Sequence, residues 1–204
     1  RAIQYIPQGV LLAVVDPGVG TERKPIALDT EWGVMIGPDN GLLNLACATV
    51  GGAQRGYLLE NEDWIIPSEG NTFHARDLFS PFAAGYASGQ LSIEDFGSEL
   101  DLSNLNQYLI PLTEATDSEI KGEILWVDHY GNCQTNVSPE ELRELKKSIG
   151  DVINIKIGNA EIKTTWVDSY QGEYLGEVGL ITDSWGMVSL FATNKNASSI
   201  LNIK

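Results

Sequence analysis

The chain has 204 residues but only two histidines, two cysteines and two methionines, and its 13 lysines and arginines face 28 aspartates and glutamates. Each shortage excludes something. Cys47 and Cys133 are too few for a disulfide framework, so a reducing, cytoplasmic setting is the expectation. A net charge of −15 repels phosphate backbones and anionic lipid surfaces, which sets aside nucleic acid and membranes as partners. No apolar run approaches the roughly 20 residues that span a bilayer, and no signal-peptide pattern occurs. With two histidines and no HxxxH, HExxH or CxxC spacing, no metal site is expected. The stretch GVGTER (18–23) is GxGxxR and lacks the third glycine of a dinucleotide fingerprint; a Walker loop and a GxSxG elbow are likewise missing.

What is present is 43% apolar and falls into two differently patterned stretches. Residues 9–15, GVLLAVV, read as a buried strand stopped by Pro17 and Gly18, and residues 25–29 and 32–37 as two more short strands. PDNG (38–41) makes a turn, after which Leu42, Leu43, Leu45, Ala46 and Val50 form a helical stripe ending at Gly51-Gly52. Residues 57–59 suggest a strand, and 77–88 a helix with Leu78, Phe79, Phe82, Ala83 and Tyr86 on one face. Alternating strands and helices make residues 1–116 an α/β domain. The polar, aperiodic TEATDS (113–118) marks the boundary.

Residues 117–204 read mostly as strands, at 122–128, 152–157, 161–167, 180–183 and 187–192. One helix interrupts them. Ser138-Pro139-Glu140-Glu141 opens it with an N-cap serine, a proline at the first helical position and a glutamate three residues after the cap, and Gly150 closes it. The C-terminal domain is therefore expected to be mostly β, sandwich- or barrel-like.

Chemistry is sought at element ends. His74 lies in TFHARD just before a helix, His129 in VDHYGN just after a strand, and Asp16 closes a strand with Arg23 seven residues later. Each also has a plain reading: Asp16 as a turn former, Arg23 as a solvated cation, His74 as a surface residue, Asp128 and Asn132 as shapers of their loop. Trp126 and Trp166, at strand spacing, read as core aromatics.

Five stretches occur in a telling order: VVDPGVGTER (14–23), IGPDNGLL (36–43), TFHARDLFSPFAA (72–84), VDHYGNCQTN (127–136) and SWG (184–186). Together they resemble the S-adenosyl-L-methionine (SAM) hydrolases that form adenosine, the SAM hydroxide adenosyltransferases, relatives of the fluorinase and chlorinase. The resemblance implies an N-terminal α/β domain, a β-barrel-like C-terminal domain, and a homotrimer holding SAM between the N-terminal domain of one subunit and the C-terminal domain of the next. It implies hydrolysis of SAM to adenosine and L-methionine by water or hydroxide at the ribose C5′, with no cofactor. Asp16, Arg23 and His74 would be the Asp–Arg–His set of the hydrolases. Asp128 would take the methionine ammonium, Asn132 the adenine edge, and Ser184 the methionine carboxylate, while Tyr130 packs on the base and Trp166 stacks on adenine.

Whether Asp16 or His74 takes the proton from water stays open at this level. The short connection 24–38 and the complete Asp–Arg–His set favour the hydrolase over the halogenating branch, in which the fluorinase carries an insertion there. Family members begin with a strand and a TDFG-like loop that are not found before Arg1, so the alternative expectation is a SAM- or adenosine-binding module without turnover.

Overall fold

Continuous apolar runs build the centre of the N-terminal sheet. In β2 (Pro25–Thr30), paired antiparallel with β3 (Gly33–Pro38), Ala27, Val34 and Ile36 belong to one buried cluster, while Ile26, Leu28 and Met35 belong to another. Successive side chains of a strand point to opposite faces, so this sheet buries both. The strand β1 (Gly9–Leu12) runs parallel to β3, and β4 (Ala53–Leu58) antiparallel to β2, giving the order β1-β3-β2-β4. Cys47 of α1 (Asn44–Thr49) joins the second cluster; Phe82 and Ala83 of α2 (Ser80–Ala87) join the first.

The structure departs from the sequence-based expectation in two places. Residues 9–15 do not form a buried strand: β1 is an edge strand that ends at Leu12, and Leu12 and Val15 are 39% and 65% exposed. The helix expected over 77–88 begins earlier, as a π-turn over Ala75–Phe79 that runs into α2. Pro81 explains the widened turn, because it has no N–H and its ring crowds the carbonyl four residues back, that of Asp77. Freed from the helix, this carbonyl accepts from the Ile66 N–H at 2.8 Å, and Ser80 Oγ donates to Ala75 O at 2.6 Å.

The computed structural model describes residues 2–203, which fall into two units divided between Leu109 and Ile110. In the second, a two-stranded ribbon of β5 (Glu114–Ala115) and β6 (Ile120–Lys121) precedes a six-stranded sheet. The sheet contains β7 (Ile124–Val127), β8 (Cys133–Thr135), β9 (Val152–Ile157), β10 (Ala160–Val167), β11 (Gly179–Thr182) and β12 (Val188–Phe191), in the order β7-β8-β12-β11-β10-β9. All neighbours pair antiparallel except β10 and β11. Leu142 of α3 (Pro139–Glu144) and Ala197 of α4 (Ala197–Ile200) complete a core with Cys133, Trp166, Leu180, Val188 and Leu190.

The capping box at Ser138 and Glu141 forms with both reciprocal hydrogen bonds. Gly150, however, does not end the helix. It stops after Glu144 in a Schellman motif, in which the Lys146 N–H reaches Arg143 O at 2.8 Å and the Lys147 N–H reaches Leu142 O at 3.0 Å. Lys146 supplies the left-handed residue at φ 58°, where a glycine is the usual occupant.

Candidate active site

The sequence VDPGVGTER forms a tight double-back. Val19 N–H donates to Asp16 O at 3.3 Å, Thr21 N–H and Thr21 Oγ1 donate to Gly18 O at 3.1 and 2.7 Å, and Gly20 takes φ 77° beside the Asn71 carbonyl. A Cβ at Gly20 would lie 3.1 Å from that carbonyl oxygen in a backbone conformation that L-residues seldom adopt. The turn therefore carries Arg23 back onto Asp16.

Their pairing is bidentate. Arg23 Nε donates to Asp16 Oδ1 at 3.1 Å, and Nη2 donates to Oδ2 in a very short contact. The two side chains are only 7% and 5% exposed, so this is a buried ion pair. Arg23 Nη2 also meets His74 Nδ1 at 3.0 Å. An arginine N–H can only donate, so Nδ1 accepts, and the neutral imidazole carries its proton on Nε2.

Below the cluster, the Arg23 guanidinium lies 5.2 Å from the centroid of the buried Phe79 ring, the last residue of the π-turn. Arg23 Nη1 is buried and has no hydrogen-bond partner among the described residues. The structure thus brings together Asp16, Arg23 and His74. Asn40 of the PDNG turn supports the same corner, donating from Nδ2 to Val15 O at 2.9 Å, and Asp39 accepts from the Asn106 N–H at 2.9 Å. By sequence Phe79 is a helix-face residue and Asn40 a turn residue; only three-dimensional proximity gives them their place here.

Residues 1–97 match the SAM hydroxide adenosyltransferase N-terminal domain, and residues 122–204 match the SAM hydroxide adenosyltransferase C-terminal domain. The chain belongs to the SAM hydroxide adenosyltransferase family. A relative from Salinispora tropica, named (R)-S-adenosyl-L-methionine hydrolase, is 37% identical over all of this chain and 74% of its own length. Proteins of the same name from Salinispora arenicola and Thermus thermophilus are 34% and 35% identical, over 100% and 89% of the chain and 74% and 70% of their own lengths. Among solved structures, an uncharacterized conserved protein from Thermotoga maritima superposes with a TM-score of 0.88 at 29% identity, covering 100% of this chain and 76% of that one. Among the described residues of this SAM hydroxide adenosyltransferase family member, no cluster of three or more His, Cys, Asp or Glu side chains is placed to hold a metal, and no helix is long and apolar enough to cross a membrane.

The other sequence-derived candidates lie in the C-terminal unit, most of them on loops at the ends of sheet strands. Asp128, Tyr130 and Asn132 share the loop between β7 and β8. Asp128 Oδ1 accepts the N–H groups of Tyr130 and Asn132, both at 2.8 Å, and Oδ2 accepts Asn132 Nδ2 at 2.8 Å, so both residues do shape the loop they flank. Tyr130 is exposed and packs edge-on against His129. Gly131, at φ 86°, lets the loop lie against α4: a Cβ there would sit 2.2 Å from Asn196 Cγ, and Ser198 N–H donates to Gly131 O at 2.9 Å. Ser184 is exposed in the turn between β11 and β12.

The two tryptophans differ sharply in burial. Trp166, expected to stack on adenine, is 1% exposed inside the C-terminal core with Arg143 over its ring, whereas Trp126, expected in the core, is 49% exposed. Ile162 and Trp166 keep the same inward face of β10 by ordinary alternation. In β7, a register shift between Ile124 and Trp126 breaks the alternation, so Ile124 and Val127 pack inward and Trp126 faces out.

Burial, reinforced by the Asp128 carboxylate, pushes the Cys133 thiol up to about 11, and Cys47 is raised by burial as well. Both cysteines are free and buried. Neither is a nucleophile at neutral pH.

Proposed function

We propose that this chain hydrolyses S-adenosyl-L-methionine to adenosine and L-methionine, with water or hydroxide attacking the ribose C5′. The observation that carries the reading is the Asp16–Arg23–His74 cluster with its one unpartnered, buried guanidinium nitrogen, found in a chain whose relatives are named (R)-S-adenosyl-L-methionine hydrolase. The water oxygen forms the new bond to C5′ as the C5′–S bond breaks. The electron pair of the broken bond passes to sulfur, the cationic sulfonium becomes a neutral thioether, and the proton of the water is released. A neutral leaving group needs no general acid, and the reaction needs no cofactor. What it needs is an oriented, polarised nucleophile.

Arg23 Nη1 is the donor assigned to that nucleophile, lowering the pKa of water by stabilising hydroxide. Asp16 fixes the plane of the guanidinium. His74 accepts from Arg23 at Nδ1 and holds its proton on Nε2, so it orients rather than deprotonates. Asp16, whose oxygens keep spare lone pairs, is then the member of the cluster able to receive the proton.

For the substrate, Asp128 is assigned to the methionine ammonium, Asn132 and Tyr130 to the adenine, and Ser184 to the methionine carboxylate. Trp166 is left out because its buried ring offers no face to a base. The configuration in the relatives' name points to the (R) epimer at sulfur as the substrate, and the assembly proposed is a homotrimer, open to test by sedimentation.

Incubating the protein with each SAM epimer and separating the products by chromatography tests the reading. Adenosine from wild type, lost in Arg23→Ala, is expected. SAM bound without turnover would favour a binding module, and 5′-halo-adenosine formed in added chloride or fluoride would favour the halogenating branch.

A further inference from the structure

The turn that displays Ser184 is shaped by its neighbour. Residues 183–187 join β11 to β12, closed by Asp183 N–H to Met187 O at 2.8 Å and Gly186 N–H to Asp183 O at 3.0 Å. The Asp183 carboxylate fills this turn from inside. Oδ1 accepts the backbone N–H groups of Trp185 at 2.8 Å and Met187 at 3.1 Å; Oδ2 accepts Ser189 Oγ at 2.8 Å and, in a very short contact, Gln134 Nε2. Gln134 and Ser189 face each other across β8 and β12, and each is 2% exposed. An exposed turn is thereby anchored to the buried centre of the sheet through one carboxylate. All four of these donors are neutral, so among the described residues the carboxylate serves as a multiple acceptor rather than as half of an ion pair.

We propose that Asp183 is a positioning residue of the substrate site: its carboxylate holds the Ser184-Trp185-Gly186 turn in the shape that presents Ser184 Oγ to the carboxylate of the substrate's amino-acid group. This rests on the assignment of Ser184 made above. Direct contact between Asp183 and that anionic group would be repulsive, which leaves shape as its contribution. The asparagine variant separates shape from charge. Its Oδ1 keeps the two backbone N–H groups, and its new NH₂ meets Gln134. Gln134 Oε1 is buried without a partner among the described residues, so a half-turn of that amide presents it to the new donor. Asp183→Ala loses all four hydrogen bonds.

The test compares wild type, S184A, D183N and D183A by adenosine formation from SAM and, separately, by calorimetric SAM binding. S184A and D183A are expected to raise KM and Kd roughly tenfold or more, with kcat within about threefold, and D183N to stay within about threefold of wild type in both. The binding measurement decides even if wild type forms no adenosine, an outcome that would sink the hydrolase reading alone. Wild-type affinity in S184A would remove the Ser184 assignment and this inference with it. Weakened binding in S184A beside wild-type binding in D183A overturns the inference alone, as does D183N binding as poorly as S184A. If D183A does not fold, Asp183→Glu, which keeps the charge but moves the carboxylate one methylene away from the turn N–H groups, takes its place: SAM binding weakened as in S184A supports the inference and wild-type binding overturns it.

Discussion

Replacing Arg23 with methionine removes a buried charge, its bidentate contact with Asp16 and its hydrogen bond to His74 in one step. Asp16 would remain in a site where its side chain is 5% exposed, without a counter-charge. Breaking a buried pair from one side costs about 3–5 kcal/mol. For a cooperative unit of about 100 residues this corresponds to a melting temperature lowered by well over 10 °C. Adding Asp16→Asn to the Arg23→Met protein removes the stranded charge, and the double-mutant cycle should return a coupling of about 2 kcal/mol or more.

Arg23→Lys keeps a cation for Asp16 but cannot hold the carboxylate, the imidazole and a water at once. Its stability should fall by about 1–2 kcal/mol, while kcat falls by about 10²–10³, the loss typical of removing one preorganised oxyanion donor. Urea unfolding with linear extrapolation and a chromatographic adenosine assay measure the two quantities. A lysine variant with wild-type kcat, or a methionine variant that costs under about 1 kcal/mol with no coupling, would refute the reasoning.

His74→Asn places a carbonyl oxygen near the position of Nδ1 and should retain at least about ten times the adenosine-forming rate of His74→Ala; equal rates would show that the acceptor role is wrong. Lys146→Gly should raise stability by about 1 kcal/mol in chemical denaturation, because the left-handed residue of the Schellman motif then carries no Cβ. Burial alone would raise the Glu141 carboxyl, but hydrogen bonds from Thr113 and from Ser138 outweigh it and hold the group below its usual range. Its stabilisation is therefore complete above the ordinary carboxylate value and is lost as pH falls through the depressed one, so the gap in stability between wild type and Glu141→Gln should close in acid. Cys133, with its thiol pushed up to about 11, should resist iodoacetamide at pH 7.5 in the native protein and react at once in urea; alkylation at equal rates in both would contradict its burial.

Elements whose pattern is local were legible in the sequence. The apolar runs of β2 and β3, the stripe of α1 and the capping box of α3 each follow from residues close together in the chain. What escaped is non-local. The three residues of β8 sit inside a polar loop motif and become a strand only through pairing with β7 and β12. The exposure of Trp126 turns on a register shift that no composition signals, and the early start of the α2 helix on a carbonyl that finds Ile66 instead of a helical donor. Within the candidate site, the Asp–Arg–His set was reached through family resemblance. Sequence spacing alone left Asp16 a turn former, Arg23 a solvated cation and Phe79 a core residue.

The seat of Gly131 on α4 has a consequence for how the protein matures. The loop bearing Asp128, Tyr130 and Asn132 is held from behind by Asn196 and by the Ser198 N–H, more than sixty positions further along the chain. During synthesis that loop must wait for its rear support until α4 has been made and has closed back over it. Contacts of such long sequence separation form late. The proposed substrate-binding capacity of the C-terminal unit then depends on α4, and a peptide truncated before Asn196 should keep α3, its cap and the Asp128 hydrogen bonds within the loop, yet lose the support behind it.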